Sequence, residues 1–375
     1  MKTKPGMVVM GILILVVAGG LFIKYSVPSR TAKNSHLTAR ALTRPPAAVK
    51  RPMRRPPALA TTASARRSGS AADNDVQILK ALLNGTRNLN LSPVEVERYL
   101  NEHGRNASNL LAAFQASGDN RYLKEAAAAF PDDPHVQFLV LALNALPEDR
   151  AQWVTAFQHA AHDNRLASFF AALDGFKNNQ PANALQEMVA AASKTSYEDY
   201  LLDHSVAAEA LYLGADRTEL EAKLAATFGL LLPHLSMMRD LSRELGMMEA
   251  SAMARGDLAT AQTAASVGLG LAQQITEGSS VPTYVNEMIG QAIERQFLAT
   301  ADAAVVEQVL GQTAAERLAE LDRQRNNIRQ TVAEWSARVE TGEFSAGEMA
   351  EYFDRVRYAG EPEANRWMLS LQRTR

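Results

Sequence analysis

His159 and His162, in the stretch FQHAAHDNR, are spaced to put two imidazoles one helical turn apart, with the Asp163 carboxylate adjoining. Such a pair can share a metal ion, but a metal site needs a third ligand and a supporting shell. The other histidines (His36, His103, His135, His204 and His234) show no comparable pairing, so the pair is read as exposed and no metal is assigned. Gly268-Leu269-Gly270 has two glycines of a dinucleotide loop, yet it lies inside a helical pattern with no strand before it, which removes that chemistry. The sequence has no phosphate loop with its lysine, no nucleophile elbow and no zinc-protease motif. The paired acids Glu316/Glu320 and Glu361/Glu363 stand among arginines and read as solvated faces. With no cysteine in 375 residues, disulfides, thiol nucleophiles, iron–sulfur clusters and thiolate zinc sites are excluded. No catalytic, cofactor-binding or metal-binding residue is therefore assigned. The methionines at 237, 238, 247, 248 and 253 fall on adjacent helical turns. They read as core filler, or else as an adaptable apolar groove for a peptide or lipid.

The elements that must carry any site are helices. Leu91-Ser92-Pro93-Val94-Glu95 joins a capping serine, a proline at the first helical position and a glutamate three residues after the cap. Gly104 ends that helix, Asn106 caps the next and Gly118 closes it, and Asp133-Pro134 opens another. The eight prolines beyond residue 74 all fit helix starts, loops or a kink, and sustained alternation is absent. The fold class is all-α, built of antiparallel helical hairpins, because short helices joined by tight turns must pack against their neighbours.

Residues 169–193, FFAALDGFKNNQPANALQEMVAAAS, resemble a tetratricopeptide unit. Asn179-Gln180 stand at the turn, Ala184 and Ala191 at the small positions of the second helix, and Met188 at the large one between. Arg255-Gly256-Asp257 with Ala261, Ala265 and Gly268 repeats the pattern, and Gly118-Asp119 begins it again. The turns are 61 and 77 residues apart, which are not multiples of 34, and the aromatic and glycine of the first helix are missing or displaced. The resemblance implies a degenerate tetratricopeptide-like solenoid over residues 75–310, with no peptide-gripping residues to carry across.

Residues 311–375 change character. A long polar helix spans 313–341, with Leu318, Leu321, Ile328, Val332, Trp335 and Val339 at roughly helical spacing. A second capping box, Ser345-Ala346-Gly347-Glu348, starts another helix, Gly360 ends it and Pro362 opens the last. This segment is expected to pack on, or extend, the repeats.

At the other end, Lys2 and Lys4 precede 17 uncharged, largely apolar residues at 7–23. That run reaches the lower limit of a spanning helix, so residues 1–25 are read as an uncleaved transmembrane anchor. A leader processed near Ala18-Gly19-Gly20 is the alternative. Residues 26–74, rich in proline and arginine, read as a disordered linker. Residues 1–72 hold 13 of the 39 basic side chains and no acid, leaving 26 basic and 41 acidic side chains on the remainder, a net of −15. No aromatic residue interleaves with the basic ones of the linker, so nucleic-acid stacking is not expected. Flanking charge favours a cytoplasmic body, whereas the short basic tail before the apolar run resembles an export signal. The expected placement is a bacterial inner membrane with the body periplasmic. The expected role is a non-catalytic scaffold binding a protein or cell-envelope partner. The alternative is an enzyme on an α-superhelix acting on an envelope polymer.

Overall fold

The first four helix starts are set by side chains that satisfy the first free amides. A computed structural model describes residues 89–341 and 344–371. The anchor and linker expected at residues 1–74 lie outside these, and no helix among the described residues is long and apolar enough to cross a membrane. Ser92 accepts from the Glu95 amide while the Glu95 carboxylate accepts from the Ser92 amide at 2.8 Å, opening α1 (Pro93–His103). Asn106 caps α2 (Ala107–Ser117), Asp119 caps α3 (Asn120–Ala129) and Asp133 caps α4 (Pro134–Ala142). Then follow α5 (Arg150–Ala160), α6 (Arg165–Lys177), α7 (Pro181–Ser193), α8 (Leu201–Gly214) and α9 (Glu219–Phe228). The chain continues through α10 (Pro233–Ala254), α11 (Leu258–Glu277), α12 (Tyr284–Leu298) and α13 (Ala303–Leu310). It ends with α14 (Ala314–Thr341), α15 (Ala346–Ala359) and α16 (Glu361–Ser370). No strand forms among the described residues, which are all-α, as the helical period and boundary prolines require.

Sequential helices pair as hairpins: α6 with α7, α8 with α9, α10 with α11 and α11 with α12. Small residues permit the close approaches. A Cβ on Gly175 of α6 would lie 3.2 Å from the Ala184 Cβ of α7, and one on Gly268 of α11 would collide with the Phe297 ring of α12. The turns marked by Asn179-Gln180, Gly256-Asp257 and Gly118-Asp119 each join two helices. Asn179 adopts φ +58° and Gly256 φ +74°, left-handed conformations that suit an amide side chain and a glycine.

Contacts also run between helices far apart in sequence. Helix α8 packs on α2, α10 on α6, and α9 on α15. Two apolar clusters result. The larger runs from Leu91 to Leu321, and the smaller gathers Trp335, Val339, Tyr352, Phe353, Val356 and Met368 around Leu220 and Leu224 of α9. An ionic joint secures the second cluster to the first. Arg357 of α15 donates to Ser205 Oγ at 3.0 Å and pairs with Glu209 of α8, while Lys223 Nζ of α9 lies 2.5 Å from Asp354 of α15. Arg357 is 4% exposed, so its charge depends on these partners.

Candidate functional site

A cavity of about 720 Å³ opens where the two clusters meet. Its walls come from the end of α9, residues 229–232, the start of α10, residues 281–283, α12, and the last three helices. Leu201, Leu232, Leu235, Val281, Val285, Ile289, Val332, Trp335, Phe353 and Val356 make it overwhelmingly apolar. Polar chemistry is limited to a few groups: Gln115, Thr227, Ser236, Thr283, Tyr352, Glu361 and Asn365. Among the described residues no lysine, arginine or histidine lines it, and Glu361 is the one carboxylic acid. The volume falls within the roughly 300–1,000 Å³ typical of ligand pockets.

The opening arises from sequence. Helix α9 stops at Phe228, and the stretch GLLLP at 229–233 crosses to α10 as an apolar linker. Phe228 is 49% and Leu231 39% exposed, and both line the cavity, so its rim presents large apolar side chains to solvent. The Phe228 ring meets Phe353 of α15 edge-on at 5.9 Å, bringing the rim against the last helices.

Glu361 is the chemically distinctive wall residue. Gly360, at φ +89°, turns the chain so that the Glu361 amide donates to the Pro282 carbonyl at 2.8 Å. A side chain at 360 would sit 3.0 Å from Pro282, so the turn is both conformationally and sterically reserved for glycine. The Tyr284 amide then donates to Glu361 Oε2 at 2.8 Å, and the other oxygen has no protein donor among the described residues. Surrounding protein pushes the Glu361 carboxyl up to about 7; the Tyr284 amide opposes the shift and the Glu287 carboxylate adds to it. Nearby, the Tyr352 hydroxyl donates to Asn365 Oδ1 at 3.2 Å, and burial raises the Tyr352 phenol well above its ordinary value.

Reading Glu361 and Glu363 together as a solvated face holds for Glu363 and is corrected for Glu361, which is half-buried in the cavity wall and bonded to the Tyr284 amide. Glu363 does pair with Arg366 at the surface, but the turn at Gly360 drives Glu361 inward. Thr313 caps α14, its hydroxyl accepting from the Glu316 amide while the Glu316 carboxylate accepts from the Thr313 amide, and Glu320 binds Arg317, whose guanidinium also holds Glu294 of α12 at 2.5 Å. His159 and His162 do not share one helix face, because α5 stops at Ala160. His162 lies in the following turn, 3.2 Å from Asp163, with both side chains exposed. Among the described residues no group of three His, Cys, Asp or Glu could hold a metal ion. The methionines divide: Met237 and Met238 are core, Met247 and Met253 are exposed, and no single groove collects them. Gly268 and Gly270 lie within α11, where Gly268 serves packing against Phe297. The long polar helix α14 buries Leu321, Ile328, Trp335 and Val339 within its own chain, against α12 and α16.

The cavity itself escaped sequence reasoning. The available signal was the run FGLLLP at 228–233, since an interhelical linker in water is ordinarily polar. Glu361 had none, because its inward course depends on contact with Pro282, far away in sequence. Comparisons with family models, with curated proteins and with solved structures returned no match to this chain.

Proposed function

We propose that this chain is a membrane-tethered, non-catalytic helical-repeat binding protein that receives an apolar component of the cell envelope. The observation that carries the reading is the apolar cavity with its exposed Phe228 and Leu231 rim. Protein interiors rarely leave voids larger than a water molecule, and an opening this size with an apolar lip matches a site that excludes water by taking up a ligand. The apolar run at residues 7–23 supports tethering, and the proline-rich linker would give the body reach from the bilayer. The hairpins α6/α7 and α10/α11, joined at the tetratricopeptide-like turns, support a solenoid ancestry, to which the contacts of α8 with α2 and α9 with α15 add closure.

An enzyme acting on an envelope polymer is the second reading, and one observation favours it: Glu361 has the raised carboxyl of a general acid. Among the described residues no second acid lines the cavity to partner Glu361 in two-carboxylate hydrolysis, and the walls suit an apolar ligand better than a polar polymer. A photo-crosslinking amino acid placed at Leu231 in the full-length protein in cells tests the binding reading. It should capture lipid or another apolar envelope component, while the same group at exposed Val206 should not. Equal labelling at both positions, or none at Leu231, refutes the proposal.

A further inference from the structure

We infer that the cavity takes a single-chain lipid whose head is uncharged and bears a hydroxyl, such as a long-chain alcohol or a monoacylglycerol, with the hydroxyl against Glu361. This rests on the binding role proposed above and specifies its ligand.

Three features select this chemistry. The apolar walls and volume suit an alkyl chain, since each buried methylene strengthens binding about fourfold until the space is filled. Among the described residues the lining contains no lysine, arginine or histidine, so a phosphate or carboxylate head brought inside would meet no cation from them. Glu361 offers an oxygen with no donor among the described residues, and the Asn365 amide lines the same cavity. A hydroxyl both donates and accepts, so it can meet the Glu361 carboxyl in either protonation state. Phe228 and Leu231 at the rim would let the tail pass between a lipid surface and the cavity without crossing water alone.

Trp335 lines the cavity and provides the reporter. The other tryptophans, Trp153 and Trp367, are replaced by Phe in the full-length chain, held in polymer-bounded lipid discs. Emission is then titrated with a mid-chain-brominated long-chain alcohol and with the carboxylate and amine of the same chain. The alcohol should quench Trp335 saturably, with an affinity about tenfold or more above that of the carboxylate. Glu361→Gln should retain alcohol binding and narrow the gap to the carboxylate, because the amide keeps a donor and acceptor but removes the charge. Val332→Phe, which narrows the cavity, should weaken all three probes. Tighter binding of the carboxylate or the amine than of the alcohol overturns the inference, as does a gap unmoved by Glu361→Gln. Absence of saturable quenching by any probe also overturns it. Should crosslinking at Leu231 still succeed in that case, the ligand class has failed and the binding role stands; should both fail, the role falls too.

Discussion

The α11/α12 hairpin and the junction of α9 with α15 and α16 are built from similar residues to opposite ends. In the hairpin, Gly268 lets the Phe297 ring lie where a side chain would otherwise stand, and both helices close on each other. At the junction, Phe228, Phe353 and Val332 surround about 720 Å³ of open space. One chain thus packs to full density in one place and leaves room in another. The difference teaches that the cavity is not general looseness. It is a local consequence of ending α9 at Phe228 and sending an apolar linker to α10, while the Gly360 turn holds α16 at Pro282.

The most severe way to break this contrast is to cut the joint between its two sides. Arg357→Ala should destabilise the protein by about 2–3 kcal/mol, because Glu209 loses its closest cation and keeps only Lys223, 3.9 Å away, while the space left by the guanidinium is unfilled. Denaturant unfolding measures it, and a loss below about 1 kcal/mol would show that the last helices hold by apolar contact alone.

Acid probes the filled side. His204 and His234 are both buried, and among the described residues His204 Nε2 and both ring nitrogens of His234 have no hydrogen-bond partner. Burial lowers His204 from 6.5 to about 3, with His135 adding to the shift. Burial also lowers His234, where Asp199 opposes the effect. A group lowered in the folded state stays neutral there while the unfolded chain takes up a proton. Its contribution is complete above about pH 6.5 and drains away as pH falls towards 3. For His204 alone the loss at pH 5 is roughly 2 kcal/mol. Unfolding free energies at pH 7.5 and pH 5 should differ by about that much less in His204→Phe than in the parent.

Smaller effects sharpen the comparison directly. Gly268→Ala should cost about 1–2 kcal/mol, since the clash with Phe297 outweighs the gain in helix propensity. Val332→Phe at the cavity adds far more volume, yet should change stability by less than about 1 kcal/mol. If thermal melts rank these two in the other order, the space beside Val332 does not persist in solution.

Helix identity and ends were legible because caps act locally. The boxes at Ser92 and Ser345 each hold both predicted hydrogen bonds, and Gly104, Gly118 and Gly360 end helices as their positions required. The hairpin turns at Asn179 and Gly256 were equally visible, since small residues on both sides report close approach. The pairing of α8 with α2 and of α9 with α15 was not. It depends on shape matching between segments that no local rule connects, as when Lys223 meets Asp354 across 131 positions. Glu361 shows the same limit. Its neighbours Arg366 and Glu363 suggest solvent, and only the distant Pro282 and Tyr284 reveal a half-buried, hydrogen-bonded carboxyl.

The span of those distant pairings bears on how the molecule comes apart. Linear repeat arrays fray from their ends, each unit melting with only its neighbour's consent. Here α9 cannot bury Leu220 and Leu224 until α15 has been synthesised and has returned to it. Docking of α9 must therefore await α15, and amide protons in α8, α9 and α15 should exchange together in one opening event. A protease nick between α14 and α15 would loosen helices more than a hundred residues upstream.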